Sequence, residues 1–304
     1  MLHNRKSVLF SSLLVAVIVA AAPFIHAESP APDDLQTIRV ADGLYMLSGR
    51  GGNIGVSSGS DGVLLIDDQY APQAPAIRQA LAAISAAPVR FVINTHWHQD
   101  HTGGNENLAA GGAVIVAHRN VRKRLGTGQF LDIFNVRIPP SPEAALPLIT
   151  FTRDLTFHFN GEEISVQHIA RAHTDGDAVI SFRGANVIHT GDIYFAGMYP
   201  FIDVSAGGSI DGVIAAVNSL LSVIDESTKI IPGHGPLTGK KDLRLYRDML
   251  VSVRDSVAGL VARGQSLQEV IAARPTGEFD RIWGRGVLTP DQFVEIVFRS
   301  ITAP

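Results

Sequence analysis

A chain of 304 residues with 46% hydrophobic and 18% charged side chains, a formal net charge of −4 and no long Lys/Arg run has ordinary globular composition. This excludes a disordered, collagen-like or coiled-coil protein and matches the phosphate backbone of nucleic acid poorly. Cysteine is absent, which removes disulfides, thiol nucleophiles and cysteine-based zinc sites, and the 11 histidines become the residues to watch for metal binding.

Arg5 and Lys6 precede an almost uninterrupted apolar run from Val8 to Ala22, and Phe24-Ile25-His26-Ala27 ends in a small residue suited to signal-peptidase cleavage. The run falls short of the roughly 20 residues that a membrane span needs. Residues 1–27 are therefore expected to be a signal peptide cut after Ala27. The mature chain, 28–304, is expected to be a single domain, periplasmic or secreted, with no stable membrane association.

Short β-prone runs at Ile38–Val40, Leu44–Leu47, Asn53–Val56 and Val63–Ile66, broken by Asp42-Gly43, Gly51-Gly52 and Asp61-Gly62, predict an antiparallel meander. Ala74–Ile84 carries apolar residues at helical spacing, and Val89–Asn94 is a continuous apolar run that reads as a buried strand. A helix at Asn105–Ala110, a strand at Ala113–Val116 and a polar helix from Asn120 follow. Between Gly126 and Pro147 no periodicity persists, which predicts a loop or lid over a site. Strands resume at Leu155–Phe159, Glu163–His168, Ala178–Phe182, Asn186–His189 and Lys229–Ile231, with helices at Ile210–Ile224 and Leu243–Arg263. The second half thus repeats the order of the first. The fold class is α/β (α+β), and two sheets each covered on one face by helices would make a four-layer αββα sandwich.

The strand at Val89–Asn94 runs straight into Thr95-His96-Trp97-His98-Gln99-Asp100-His101-Thr102. In extended backbone His96 and His98 point to one side, and the turn that follows brings Asp100 and His101 alongside, so four potential ligands fall within six residues. Downstream, His173, Asp192 in Thr190-Gly191-Asp192 and His234 in Pro232-Gly233-His234-Gly235 each stand where a strand signal ends in a turn. Together they complete a set of seven.

This pattern, His-x-His-x-Asp-His followed by a His, a Gly-Asp and a Gly-His-Gly, resembles the metallo-β-lactamase-fold hydrolase superfamily over about Leu44 to His234. The resemblance implies the αββα sandwich and a dinuclear site of two Zn²⁺ per chain. His96, His98 and His173 would hold the first metal, Asp100, His101 and His234 the second, and Asp192 would bridge them, with Asp100 and Asp192 serving catalysis. Imidazole and carboxylate ligands suit zinc, although iron or manganese fit the same set. Paired zincs lower the pKa of water to about 7 and polarise an acyl oxygen. The best-known β-lactamases have Cys in place of Asp192 and a Lys three residues later, where Phe195 stands here; a bridging Asp is similar to glyoxalase II and lactonases.

Export favours a β-lactam as the small-molecule substrate. The alternatives are a lactone or ester, a glyoxalase II-like thioester, and a periplasmic zinc-binding protein without catalysis. Among further residues, Lys123 in the basic cluster Arg119–Arg124 is a candidate for binding a substrate carboxylate. Tyr194 is a candidate hydrogen-bond donor to a developing oxyanion, and Phe195 a wall of the substrate pocket. His118 is read as a packing or helix-capping residue, and His158, His168 and His189 as structural. One of Asp67 and Asp68 is expected to accept a hydrogen bond from a ligand imidazole.

Overall fold

The computed structural model describes residues 35–303, so the expected signal peptide lies outside the described residues. Strands β1 (Gln36–Ala41), β2 (Leu44–Ser48), β3 (Ile54–Gly59) and β4 (Gly62–Ile66) form the antiparallel meander that the turn residues dictate. Helix α1 (Ala74–Ile84) then carries the chain to β5 (Val89–Asn94). Two short helices, α2 (Gln99–Thr102) and α3 (Asn105–Ala110), carry it on to β6 (Val114–His118). Both crossovers deliver parallel neighbours. After α4 (Arg119–Leu125) comes a separate hairpin, β7 (Gln129–Leu131) and β8 (Val136–Ile138), and β9 (Ile149–Phe151) completes the first sheet beside β6.

The second sheet runs in the order β10 (Asp154–Phe159), β11 (Glu162–Ile169), β12 (Asp177–Phe182), β13 (Val187–His189), β14 (Lys229–Ile231) and β15 (Thr238–Gly239). Helix α5 (Ile210–Val223) is the crossover that makes β13 and β14 parallel; the other pairings are antiparallel. The chain continues as α6 (Lys240–Ala262), α7 (Leu267–Ala272), α8 (Asp280–Trp283) and α9 (Pro290–Thr302).

Period-2 alternation sorts the apolar residues into layers. On β4, Leu64 and Ile66 face the second sheet and pack with Ile93, Val116, Val166 and Ile180, whereas Val63 and Leu65 face Ile77 and Leu81 of α1. On the far side, Val179, Ile188 and Ile230 of the second sheet pack against α5, α6 and α9. The result is two mixed sheets between helices, the expected αββα sandwich.

The stretch between Gly126 and Pro147, expected to be a loop or lid over a site, contains the β7–β8 hairpin. Its strands are three residues each, too short to show alternation in sequence. The helices after Arg263 are an addition to the expected elements. Helix α9 begins with Thr289 capping the Gln292 amide and Pro290 in its first turn, and it buries Phe293, Val294, Ile296 and Val297.

Truncating the inter-sheet core at Ile180, which is fully buried, should leave a cavity. Ile180→Ala is expected to lower unfolding stability by about 2–5 kcal/mol. Val223→Ala, at a side chain 77% exposed, should stay within about 0.5 kcal/mol. Equal effects of the two in urea titrations would contradict this layering.

Candidate metal centre

Strand ends deliver the site. β4 runs into Asp67, β5 into His96–His101, β13 into Asp192 and β14 into His234, while the turn before β12 supplies His173. Carboxyl ends of neighbouring parallel strands are where such a sheet opens a crevice.

The seven side chains form two groups, His96 with His98, His173 and Asp192, and Asp100 with His101 and His234. Within each group the ligand atoms lie within 4.8 Å of one another. Hydrogen bonds on the outer nitrogens fix the tautomers. His173 Nδ1–H donates to the Phe201 carbonyl at 2.7 Å, and His98 Nε2–H donates to Asp203 Oδ2 at 3.0 Å. The lone pairs of His173 Nε2 and His98 Nδ1 therefore face each other across 2.9 Å.

His96 Nδ1 is bonded to the Thr95 hydroxyl at 3.0 Å, and its buried Nε2 has no hydrogen-bond partner. His101 Nδ1–H donates to Asp67 Oδ2 at 2.7 Å, which turns Nε2 toward Asp192 Oδ1 at 3.1 Å and His234 Nε2 at 3.4 Å. Opposed lone pairs and an orphaned buried nitrogen are costly by themselves, and a cation within each group converts them into ligand bonds. Asp192 Oδ2 is 3.8 Å from His96 Nε2, 3.7 Å from His173 Nε2 and 3.4 Å from His234 Nε2, the placement of a bridging carboxylate. The donor set thus fits a binuclear metal site, and nitrogen with carboxylate oxygen suits zinc, iron or manganese alike.

The two groups differ electrostatically. Burial, aided by neighbouring imidazoles, pushes His96 well below its usual pKa and His173 down to about 4, so both stay neutral. Burial opposes protonation of His101 and His234 too, but Asp192 and Asp100 override it. They hold His101 well above its usual pKa and His234 at about 9.

Several supporting residues carry no signal in the sequence. The Asn53 side-chain amide donates to the carbonyls of Pro232 at 2.9 Å and Gly235 at 2.8 Å, so it straddles and clamps the loop that presents His234. Asp203 orients His98 from a segment that carries none of the ligand motifs. Of the Asp67-Asp68 pair, Asp67 is the acceptor for a ligand imidazole; it also binds the Thr95 amide and hydroxyl, each at 2.7 Å. Asp68 instead accepts from the Gly104 amide at 2.8 Å.

Two candidates need correction. Lys123 is exposed on α4 and does not line the cavity, because Val121 and Leu125 turn the opposite face of that helix into a cluster with Trp97 and Ala117. Its neighbours are committed elsewhere: Arg124 forms a two-pronged pair with Asp175, and Arg122 bonds the Pro147 carbonyl. Tyr194 is buried with its ring 4.9 Å from that of Tyr246 and is not among the residues that line the cavity.

Phe195 does line the cavity and stacks on His234 at 5.1 Å. His118 accepts from the Asn120 amide at the start of α4 and stacks on His168 at 3.8 Å. His189 is buried and bonded to the Asn53 carbonyl, whereas His158 is an exposed strand residue.

The two groups open into a cavity of about 380 Å³. Its floor is polar, with His98, Asp100, Asp192 and His234. Its walls are Trp97, Phe195, Met198 and Phe201, the hairpin residues Leu131, Phe134, Val136 and Ile138, and Val287 and Leu288 from the loop before α9.

The fold and the site are those of the metallohydrolases built on a dinuclear His/Asp centre. The chain belongs to the metallo-beta-lactamase superfamily, whose family model matches residues 47–237. It is similar to hydroxyacylglutathione hydrolases of Polaromonas sp. (28% identical over 172 residues, 56% of this chain and 57% of that one) and Pelagibacter ubique (25% over 150 residues, 48% and 52%). It spans about half the length of these curated relatives. Among solved structures, a sec-alkylsulfatase from Pseudomonas sp. shares the fold with TM-score 0.65 and 19% identity, over 87% of this chain and 50% of that one. A metallo-beta-lactamase from Pontibacter korlensis does so with TM-score 0.58 and 19% identity, over 71% and 98%.

Metal ligands must shed their protons. Metal binding to the His101/His234 group is therefore expected to release protons and to tighten as pH rises toward about 9. Binding to the group containing His96 and His173 should vary little above neutrality. Calorimetric titration of metal-free protein in buffers of different ionisation enthalpy separates the two, and identical proton release by both sites would contradict the assignment.

Proposed function

We propose that this chain is an exported metal-dependent hydrolase that opens an acyl bond in a compact, largely apolar substrate, with a β-lactam as its leading substrate. The observation that carries the reading is the convergence of seven nitrogen and carboxylate donors, four of which (His98, Asp100, Asp192 and His234) form the polar floor of a largely apolar cavity. When bound there, a pair of metals supplies Lewis acidity at the acyl oxygen and acidifies water.

The chain's own residues do the remaining work. Asp100 Oδ2 lies on the cavity floor, 3.1 Å from His234 Nε2, placed to take a proton from water and return it to the leaving atom. In the metal-free chain burial would raise its pKa, but the charged His101 and His234 imidazoliums hold it below the usual carboxylate range. Trp97, Phe195 and Phe201 exclude water and seat the apolar part of the substrate.

Two features support the β-lactam: the export signal, since these compounds act outside the cytoplasm, and a cavity near the small end of the ligand-site range. A second reading, a lactone or ester, draws on Asp192, a carboxylate where the best-known β-lactamases carry Cys. A glutathione thioester fits less well, because it bears several charges and Arg50 is the only Lys or Arg among the described lining residues.

Metal-loaded mature chain is expected to hydrolyse a chromogenic cephalosporin, to turn over a neutral aryl ester or lactone more slowly, and to lose both activities in chelator. Turnover of the neutral substrate alone would give the second reading the lead. Turnover of neither by metal-loaded protein would point to a zinc-binding protein without catalysis. The exported chain should begin at Glu28 by mass spectrometry, and retention of residues 1–27 would refute the export assignment.

A further inference from the structure

We propose that the face around the cavity mouth is a lipid-docking surface, on which the chain rests reversibly and mouth-first against an anionic membrane surface. This goes beyond the hydrolase reading, and its test needs no turnover.

Large apolar side chains are exposed at nine positions among the described residues. Five of them, Tyr70, Phe130, Val136, Ile282 and Val287, lie on the three segments that form the mouth: the turn after β4, the β7–β8 hairpin, and α8 with the loop that follows it. Such a concentration on one face marks an interaction surface. Val287 is 81% exposed, yet the loop that presents it is firmly seated. Its neighbour Leu288 is buried in the helical core, and a Cβ added to Gly286 would sit 2.6 Å from Met198.

In the hairpin, Leu131 and Val136 form a cross-strand pair that lines the cavity, and Phe130 and Arg137 form the next pair. Successive pairs point to opposite faces. Phe130 therefore stands on the face turned away from the cavity, with the Arg137 guanidinium 5.1 Å from its ring centre. The hairpin is apolar on both faces, although only one is needed to wall the cavity.

The charges on these segments select the partner. Arg137, Arg281 and Arg285 are exposed and have no carboxylate partner among the described residues. The two acids of the hairpin and of α8 with its loop are engaged: Asp132 faces Arg299 at 3.9 Å, and Asp280 accepts from the Tyr199 hydroxyl at 2.9 Å. Apolar side chains set among free arginines match a lipid surface, where the former enter the acyl boundary and the latter meet anionic headgroups. The chain as a whole has a net charge of −4, so an anionic surface favours approach by this face. A second copy fits poorly, because a two-fold contact would set the same arginines against one another. Among the described residues no helix is long and apolar enough to cross a membrane, and the docking is peripheral.

The test is co-sedimentation of metal-loaded mature chain with vesicles of phosphatidylcholine alone and of phosphatidylcholine and phosphatidylglycerol in equal parts. Binding is expected to the mixed vesicles, far less to the neutral ones, and should weaken as salt is raised. Arg137→Gln and Arg285→Gln should each lower partitioning about fivefold, and Phe130→Ser and Val287→Ser about tenfold. Val223→Ser, at an exposed position on α5, should leave it unchanged. Sedimentation velocity of the same proteins without lipid reads the competing occupant. No binding to the mixed vesicles, equal binding to both kinds, or binding that all four mouth variants leave intact overturns the assignment. A wild-type dimer that those variants dissociate also overturns it, since a second copy would then cover the face.

Discussion

Four hydrogen bonds on the outer nitrogens of His96, His98, His101 and His173 govern what this molecule can do. Each turns the other ring nitrogen inward: those of His98 and His173 oppose each other, that of His96 is left without a partner, and that of His101 faces Asp192. The partners that impose this, Thr95, Asp67, Asp203 and the Phe201 carbonyl, are held in turn. Asp67 is tied to the Thr95 backbone, and Asp203 accepts from the Ala206 amide and the Ser205 hydroxyl. An arrangement so costly without cations persists only where the surrounding fold imposes it.

The fold imposes it by drawing each group from both sheets. His96, His98, Asp100 and His101 follow β5 of the first sheet, whereas His173, Asp192 and His234 belong to the second. Cations bound there would fasten the two halves at one edge, while the apolar layer between the sheets fastens them over their faces. Asn53 links the same halves through the His234 loop, and the glycine-rich loop beside it carries Arg50 to the cavity. One short segment between β2 and β3 thereby positions a ligand and contributes to the cavity lining.

Much of this was legible in sequence because the signals were local. Val89–Asn94 and Ala74–Ile84 coincide with a strand and a helix to the residue, since a continuous apolar run and a 3.6-residue period each leave a clear pattern. The seven ligand candidates could be picked out because they stand in turns directly after strand signals. Other features depend on contacts distant in sequence. Asn53 acts on residues 179 and 182 positions away, and Asp203 acts on His98 105 positions away, so neither marks itself locally. Lys123 failed as a candidate because charge density does not reveal which face of α4 is buried. Helix α9 is a different case: its Thr289-Pro290 start and apolar spacing are visible in the sequence, but they stand apart from the motifs.

The central claim is that the inward-facing donors exist to hold two cations sharing one carboxylate. It is tested most directly by the metal content of purified, dialysed protein, measured by inductively coupled plasma mass spectrometry beside Asp192→Ala. The account predicts close to two metal ions per chain in the wild type and a loss of one or both when the shared carboxylate is removed. A wild type that retains one metal or none, or an Asp192→Ala protein that still holds two, would contradict it.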